Sequence, residues 1–476
     1  MRYFLKSKLL SILVILIFVS LNSFGKERKG YEIKVQINGI QNSDIYLGFH
    51  HGNKQFLTDT IRLNDEGRGT FRGDEKLEQG IYLIITPAKN YFELLIGEDQ
   101  HFSLVTSKPD FMNTLKFEGA ELNSEFLYYQ RFMVEQNRKR RKLTQKLKKN
   151  KENEEVQKKI RSQIDSLGNQ VKNMWDNLIS EYEGTVLAVV IKAMKNPEVP
   201  DFNISDSVEN KDSVRWMKRY QFYRDHYFDY IDLSDDRIVR TPILHNKVKN
   251  YFDNILIQKP DSIIPRIDWM IEQTNGNDET FKFLVQFMLN HFQKKNIMGM
   301  DEVFVHVAEK YYLSGRADWV DSATLSKLRD KVRKTKPNLI GNKAPNLKIP
   351  TSTGEFASLH DIESDFVILY FWEPNCGHCK TVTPKIWDIY KKYNRNQLEV
   401  FAFYTQNNKQ EWLEYINKHE FDWINVYDPH YISNFRQKYD IYSTPTIYLL
   451  DKNKEIVAKR ISYKSLGEFL KRKIGN

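Results

Sequence analysis

Along the chain the hydrophobic rhythm changes twice. Over residues 31–118 apolar positions come in short runs, many alternating with polar ones: YEIKVQI, DIYLGF, FLTDTIRL, GIYLII, YFELLI, HFSLV and TLKFEG. A period near two is the mark of half-buried strands. Turn formers at Asn42-Ser43, Asp65-Glu66-Gly67 and Gly97-Glu98-Asp99 keep each run short. For residues 26–119 the pattern predicts a small antiparallel β-sandwich with no evident catalytic cluster, suited to scaffolding or binding.

From about Leu122 the period becomes helical. Val156, Ile160, Ile164, Leu167, Val171, Met174 and Leu178 recur by threes and fours, which predicts a long amphipathic helix. A weaker stripe through Tyr129, Met133, Leu143 and Leu147 precedes it, and the polar tract KKNKENEE between the two predicts a helical hairpin. After Pro197 and Pro200 helical patterns resume over 214–228, 244–256, 263–273, 281–292, 301–313 and 322–334. Residues 120–336 are therefore expected to form an α-helical middle region. His245, His291 and His306 fall on different predicted helices, without the paired spacing of a zinc site, and are expected to be packed or surface histidines.

The third rhythm follows KTKPNLIGNKAP, residues 334–345, a proline-bearing stretch expected to be a linker. Strand patterns at 366–372, 398–404, 423–426, 446–450 and 455–461 alternate with helices beginning near Cys376, Lys409 and Ser465. Such alternation predicts an α/β unit over 337–476 with a mostly parallel sheet. FVILYFW has no polar alternation, so its strand should be buried on both faces.

Composition adds compartment and partners. The 476 residues are 41% hydrophobic and 28% charged, the balance of a folded globular protein. At roughly 150 residues per domain, about three domains are expected. MRYFLKSKLLSILVILIFVSLNSFG combines Arg2, Lys6 and Lys8 with an apolar run and small residues, the layout of a secretory signal peptide cut after Gly25. An uncleaved membrane anchor is the alternative, disfavoured because the run is shorter than the roughly 20 residues that span a bilayer. With no cysteine near the cut, lipid attachment is not expected, and the mature protein should sit in the periplasm or cell envelope. The formal charge is +10, with a basic run at 138–151. Export and the lack of interleaved stacking aromatics argue against nucleic acid and for a solvated helix.

Against that background the cysteine usage is informative. Exported proteins use disulfides as staples between distant positions. This chain has two cysteines, Cys376 and Cys379, two residues apart in FWEPNCGHCK. A loop that short constrains the unfolded chain little, so chemistry explains the pair better than stability. A buried strand passing through Glu373-Pro374-Asn375 into a helix puts Cys376 at the helix N-terminus, where unpaired N–H groups and the helix dipole favour a thiolate. Cys379, three residues on, lies on the same face but deeper. Thiol–disulfide exchange follows: Cys376 as nucleophile forms a mixed disulfide, and Cys379 as resolving thiol releases the product. A protonated His378 would tune the thiolate and make the couple more oxidising; Lys380 adds positive potential, and Glu373 opposes it if its carboxylate faces the sulfur. Three ligands this crowded cannot wrap a tetrahedral zinc, so no metal is expected.

These residues resemble the thioredoxin superfamily, in particular the exported TlpA/ResA-like thiol–disulfide oxidoreductases of Gram-negative envelopes. The features that carry the likeness are Ile340-Gly341 and Ala344-Pro345, Phe371-Trp372 before the pair, Cys-Gly-His-Cys, Pro384 five residues beyond, and Ser443-Thr444-Pro445-Thr446. The layout as a whole looks like a multidomain member: N-terminal antiparallel β-sandwich, α-helical middle, C-terminal α/β thioredoxin-like domain. The resemblance implies a cis Pro445 against the cysteines, Thr444 backbone pairing with an extended substrate, and Pro384 kinking the active-site helix. It implies no bound cofactor beyond the redox-active pair itself. Two carboxylates of the wider pattern are missing, replaced by Tyr370 and Val382, which leaves deprotonation of Cys379 without an assigned base. The Gly-His dipeptide is that of protein disulfide isomerases, whose poise is about −180 mV against about −270 mV for thioredoxin, so the net direction stays open.

The expected function is therefore reduction or exchange of disulfides in exported proteins, with electrons from a membrane or periplasmic donor. Two alternatives stand beside it. One is an envelope partner-binding protein with a subsidiary redox domain, since the first two thirds of the chain carry no evident chemistry. The other is a thiol peroxidase, weakened because the threonine that peroxiredoxins place three residues before their cysteine is Glu373 here.

Overall fold

A computed structural model of the chain describes residues 29–475, so the secretory leader expected at 1–25 lies outside the described residues. Two compact units result, one running up to Ile255 and adding Gln273–Thr280, the other of Leu256–Glu272 with the described residues from Phe281 on. No described helix is long and apolar enough to cross a membrane.

The first unit begins with eight strands: β1 (Tyr31–Asn38), β2 (Asp44–His51), β3 (Lys54–Arg62), β4 (Arg68–Gly73), β5 (Gly80–Ile85), β6 (Tyr91–Ile96), β7 (His101–Ser107) and β8 (Lys116–Glu118). They form two four-stranded sheets, ordered β4-β1-β7-β8 and β3-β2-β5-β6. Alternate residues meet in one core, among them Ile33, Val35 and Phe71 from one sheet and Ile45, Tyr82 and Leu94 from the other. One pair departs from the antiparallel expectation: β1 and β7 run parallel. They are joined through the opposite sheet and not by a hairpin, so no tight turn dictates their direction.

Two long helices follow, Glu121–Lys149 and Glu154–Glu181, the second capped by the Asn153 side chain. The predicted hairpin forms, with Lys146, Lys148 and Lys149 in the last turn of its first helix, where positive charge complements the dipole. The outer faces of β5 and β6, through Ile81 and Leu95, pack on Phe126, Tyr129, Leu178 and Val190. Asn123 does more than fill space. Its amide accepts from Leu95 N–H at 2.8 Å and donates to Leu95 C=O at 2.9 Å, pairing the outer side of edge strand β6 where it is buried under the helix.

The second unit joins four helices, Pro260–Glu272, the bulk of Asp278–Gln293, Met300–Val307 and Ser322–Thr335, to an α/β core. Residues 334–345 are packed and not a free linker. Asn338 is buried, and its amide donates to Lys334 C=O at 2.8 Å and Lys438 C=O at 2.6 Å, which ties the segment down. A two-strand ribbon of β9 (Lys348–Pro350) and β10 (Phe356–Ser358) comes next; these strands are too short for a periodic signal.

The main sheet has the order β13-β12-β11-β14-β15, formed by β11 (Phe366–Trp372), β12 (Leu398–Tyr404), β13 (Ile424–Tyr427), β14 (Thr446–Asp451) and β15 (Ile456–Lys459). Its pairs divide evenly, β11–β12 and β12–β13 parallel, β11–β14 and β14–β15 antiparallel. The mostly parallel expectation fails at β14, which runs against both of its neighbours; the four residues between it and β15 are enough for a hairpin but not for a crossover helix. β11 is buried on both faces as expected. Ile368, Tyr370 and Trp372 enter one core layer, Val367, Leu369 and Phe371 the other.

Phe371 is fully buried, with ring centroids of Phe403, Phe435 and Tyr439 at 5.3, 5.9 and 5.3 Å. Truncating it removes those contacts and leaves a cavity beneath the cysteine loop. Phe371→Ala should therefore cost about 3–5 kcal/mol in urea unfolding. A loss under about 1 kcal/mol would mean this layer is not a close-packed core.

Candidate functional site

β11 delivers the chain to the site. Pro374 has no N–H to continue the strand and restricts Glu373 before it, so pairing ends at Trp372. The helix Gly377–Tyr390 then starts, with Cys376 as its N-cap: φ is −69° and ψ 121°, and Sγ accepts from Cys379 N–H at 3.2 Å. The sulfur thus does what a serine or aspartate does at most helix starts. Both cysteines are free thiols, Cys376 half-buried and Cys379 buried.

The opposite wall comes from register. Phe371 faces Thr446 across the β11–β14 ladder, and two more steps bring Glu373 opposite Thr444. At that point the Thr444 hydroxyl donates to Glu373 Oε1 at 2.6 Å, and the Cys376 thiol donates to Thr444 C=O at 3.3 Å. The Thr444-Pro445 bond is cis, the geometry implied by the family resemblance.

Glu373, Cys376, Cys379, Thr444 and Pro445 are thus brought together. His378 also lies on the first turn, but its ring is exposed. The sign left open for Glu373 is now legible: its carboxylate engages the Thr444 hydroxyl, while its N–H donates to the Cys379 sulfur. Sequence gave no signal for that orientation, since it follows from pairing 71 residues apart.

The two thiols differ in kind. Partial burial works against ionisation of Cys376, but hydrogen bonds from the Cys379 thiol, the Cys379 N–H and the His378 N–H outweigh it and hold Cys376 below its ordinary value. Burial above all, with the hydrogen bond to Cys376 in addition, pushes Cys379 up to about 12. One thiol is therefore poised to attack and the other to stay protonated until its environment changes.

Behind the pair, the missing acids are replaced as the sequence indicates. Tyr370 is fully buried and its hydroxyl pairs with that of Thr383 at 2.8 Å, while Val382 packs against the core. Burial raises the Tyr370 hydroxyl well above its ordinary value, so it is no base at neutral pH. Pro384 lies inside the helix. His306 pairs with Asp268 at 2.8 Å, and among the described residues no group of three or more His, Cys, Asp or Glu could hold a metal. A larger cavity of about 660 Å³ belongs to the first unit, between the hairpin and Lys195, Asn196 and Glu198, and contains no cysteine.

Residues 340–459 match the model of the AhpC/TSA family. Over 122 residues the chain is 25% identical to a protein of Bacillus cereus named thiol-disulfide oxidoreductase ResA, covering 26% of this chain and 69% of that one. The chain belongs to the thioredoxin-like thiol–disulfide oxidoreductases. This oxidoreductase is also 41% identical to a solved domain of a possible thiol-disulfide isomerase from Cytophaga hutchinsonii, covering 29% of this chain and 93% of that one with a TM-score of 0.27. A thioredoxin-like protein from Bacteroides caccae is 22% identical, covering 58% and 99% of the two chains, with a TM-score of 0.43. Residues 143–338 of the oxidoreductase match a domain of unknown function, DUF5106.

The asymmetry of the thiols sets a labelling order. Iodoacetamide at neutral pH should modify Cys376 and spare Cys379 in folded protein. Thiolate is the reacting form, so the rate rises with pH, and a lowered value for Cys376 puts the inflection below that of an unperturbed cysteine. Peptide mapping with labels in equal amount on both residues, or an inflection at or above the unperturbed one, would contradict the assignment.

Proposed function

We propose that this oxidoreductase is exported to the periplasm or cell envelope and reduces or exchanges disulfides of proteins there, through Cys376 and Cys379. The observation that carries the reading is Cys376 Sγ held between a helix N-terminus and the Thr444 carbonyl, with a buried second thiol donating to it.

The steps follow from that arrangement. An extended segment of the substrate pairs with the backbone at Thr444, beside Pro445, which aligns one of its sulfurs with Cys376. The Cys376 thiolate attacks that sulfur, an S–S bond forms, and the second substrate sulfur leaves as a thiolate that takes up a proton. Loss of the Cys376 charge removes the hydrogen-bonded neighbour that kept Cys379 protonated. Cys379 then yields its proton and attacks Cys376 Sγ, closing the Cys376–Cys379 disulfide and releasing the first substrate sulfur as a thiol. Two electrons have passed to the substrate. A dithiol donor of the membrane or periplasm restores the pair by the same exchange, and no bound cofactor is required. Run in reverse, the sequence oxidises, and the exposed His378 beside the nucleophile is the side chain suited to tune that balance.

The AhpC/TSA match also bears on a thiol peroxidase. Against it stands Glu373, whose carboxylate is taken up by Thr444 at the position where a peroxidase needs a threonine. Peroxide consumption by the purified protein with a thiol donor would favour that reading.

The decisive experiment exploits the division of labour between the sulfurs. Cys379→Ser should accumulate mixed disulfides through Cys376 in cells, visible as adducts that reductant dissolves, whereas Cys376→Ser should form none. Failure of Cys379→Ser to capture any exported protein, with Cys376 still reactive to alkylation, would defeat the proposal.

A further inference from the structure

A polar cavity of about 270 Å³ opens beside Pro445, lined by Asp440, Tyr442, Ser443, Thr446, Arg460 and Ile461. Strand register explains its position. Tyr448 faces Lys459 in the β14–β15 ladder, and Arg460 N–H donates to Ile447 C=O at 2.7 Å, so Arg460 sits one step from the strand that Pro445 opens.

The charges are organised around one buried carboxylate. Asp440 side chain is only 6% exposed, and it is paired with Lys331 at 3.0 Å and Arg460 at 3.2 Å. Burial opposes its ionisation, but Lys331, the Tyr442 hydroxyl and Arg460 outweigh that and hold its carboxyl below the usual range. Two cations against one anion leave the cluster with a net positive charge. The cation that meets solvent most is Arg460, 59% exposed against 34% for Lys331. Lys331 also lies over the Tyr442 ring, 5.1 Å from its centroid, and Tyr442 stands exposed two residues before Thr444. A guanidinium anchored on one edge by Asp440 still presents donors on its other edge, in the planar fork that suits a second carboxylate.

We propose that this cavity is a side-chain subsite for the substrate polypeptide, in which Arg460 selects an acidic residue next to the disulfide and Lys331, through Asp440 and Tyr442, positions the wall. The inference rests on the exchange reading above, because it is an extended chain paired at Thr444 that would carry a neighbouring side chain into the cavity. It also gives the helix Ser322–Thr335, which ends the segment matching DUF5106, a part in substrate selection.

The test uses pre-reduced full-length protein in single turnover with two disulfide peptides that differ only in a Glu or a Lys beside one cysteine. The wild type should reduce the Glu peptide about tenfold faster, the worth of roughly one charge-assisted hydrogen bond. Arg460→Glu should reverse the order and outpace the wild type on the Lys peptide, a gain that misfolding cannot produce. Arg460→Gln should bring the two rates close to parity, and Lys331→Met should narrow the wild-type gap. Equal wild-type rates, or an Arg460→Glu variant that keeps the wild-type order, overturn the subsite while leaving exchange intact. A wild type that reduces neither peptide nor a small aromatic disulfide removes the exchange reading itself.

Discussion

The register between β11 and β14 is the constraint on which the cysteine site depends. Neither strand carries a reacting atom. Yet their antiparallel pairing, Phe371 on Thr446, fixes which backbone lies beside the first turn of the Gly377–Tyr390 helix. A slip of one residue would turn every side chain of a strand to the opposite core layer. With Phe371, Tyr439 and Tyr448 in one layer and Tyr370, Trp372 and Ile447 in the other, such a slip would exchange large buried aromatics between two packed faces. The hydrophobic core therefore holds the Thr444 carbonyl against Cys376 far more firmly than their single weak contact could.

Given that frame, two identical side chains acquire opposite tendencies from three residues of helix. Cys376 sits where the backbone presents donors and solvent reaches in; Cys379 sits one turn deeper, where desolvation penalises charge. The hydrogen bond between them makes each one's state depend on the other's. That coupling supplies some of what a nearby carboxylate would: Cys379 is hardest to ionise while Cys376 is an anion and easier once Cys376 is bonded to another sulfur. Tyr370 and Thr383, behind the pair, satisfy each other and close the space without adding charge.

How much of this was legible depended on range in sequence. The N-cap role of Cys376 is local: strand, proline, two thiols and a helix lie within 25 residues, and the pattern announces all of them. Helices and strands with full periods are equally local, as in Glu154–Glu181 and β11. Pairings across long separations leave no such trace. The parallel alignment of β1 with β7, the aim of the Glu373 carboxylate and the anchoring of residues 334–345 through Asn338 all depend on partners from some 70 to 100 residues away. Proline and polar residues in KTKPNLIGNKAP are true helix-ending signals; what they do not encode is that Asn338 finds Lys438 waiting.

The same limit explains why charge looked uninformative. Counted along the chain, Lys331, Asp440, Lys459 and Arg460 are ordinary surface residues of a mildly basic protein. In the fold, Lys459 is buried, where burial lowers its ammonium below the ordinary value, and it is paired with Asp301 and the Asn338 carbonyl; Asp440 is buried against Lys331. A buried ion whose partner is removed costs about 3–5 kcal/mol, more than most surface charges contribute. Since Asp301, Lys331 and Asn338 stand in or just after the helical segment while Lys459 and Asp440 belong to the strands and loops around Pro445, each pair makes that segment part of the redox core's own electrostatic balance. Through Lys331, Asp440 thereby ties the Ser322–Thr335 helix to the loop that leads into Pro445.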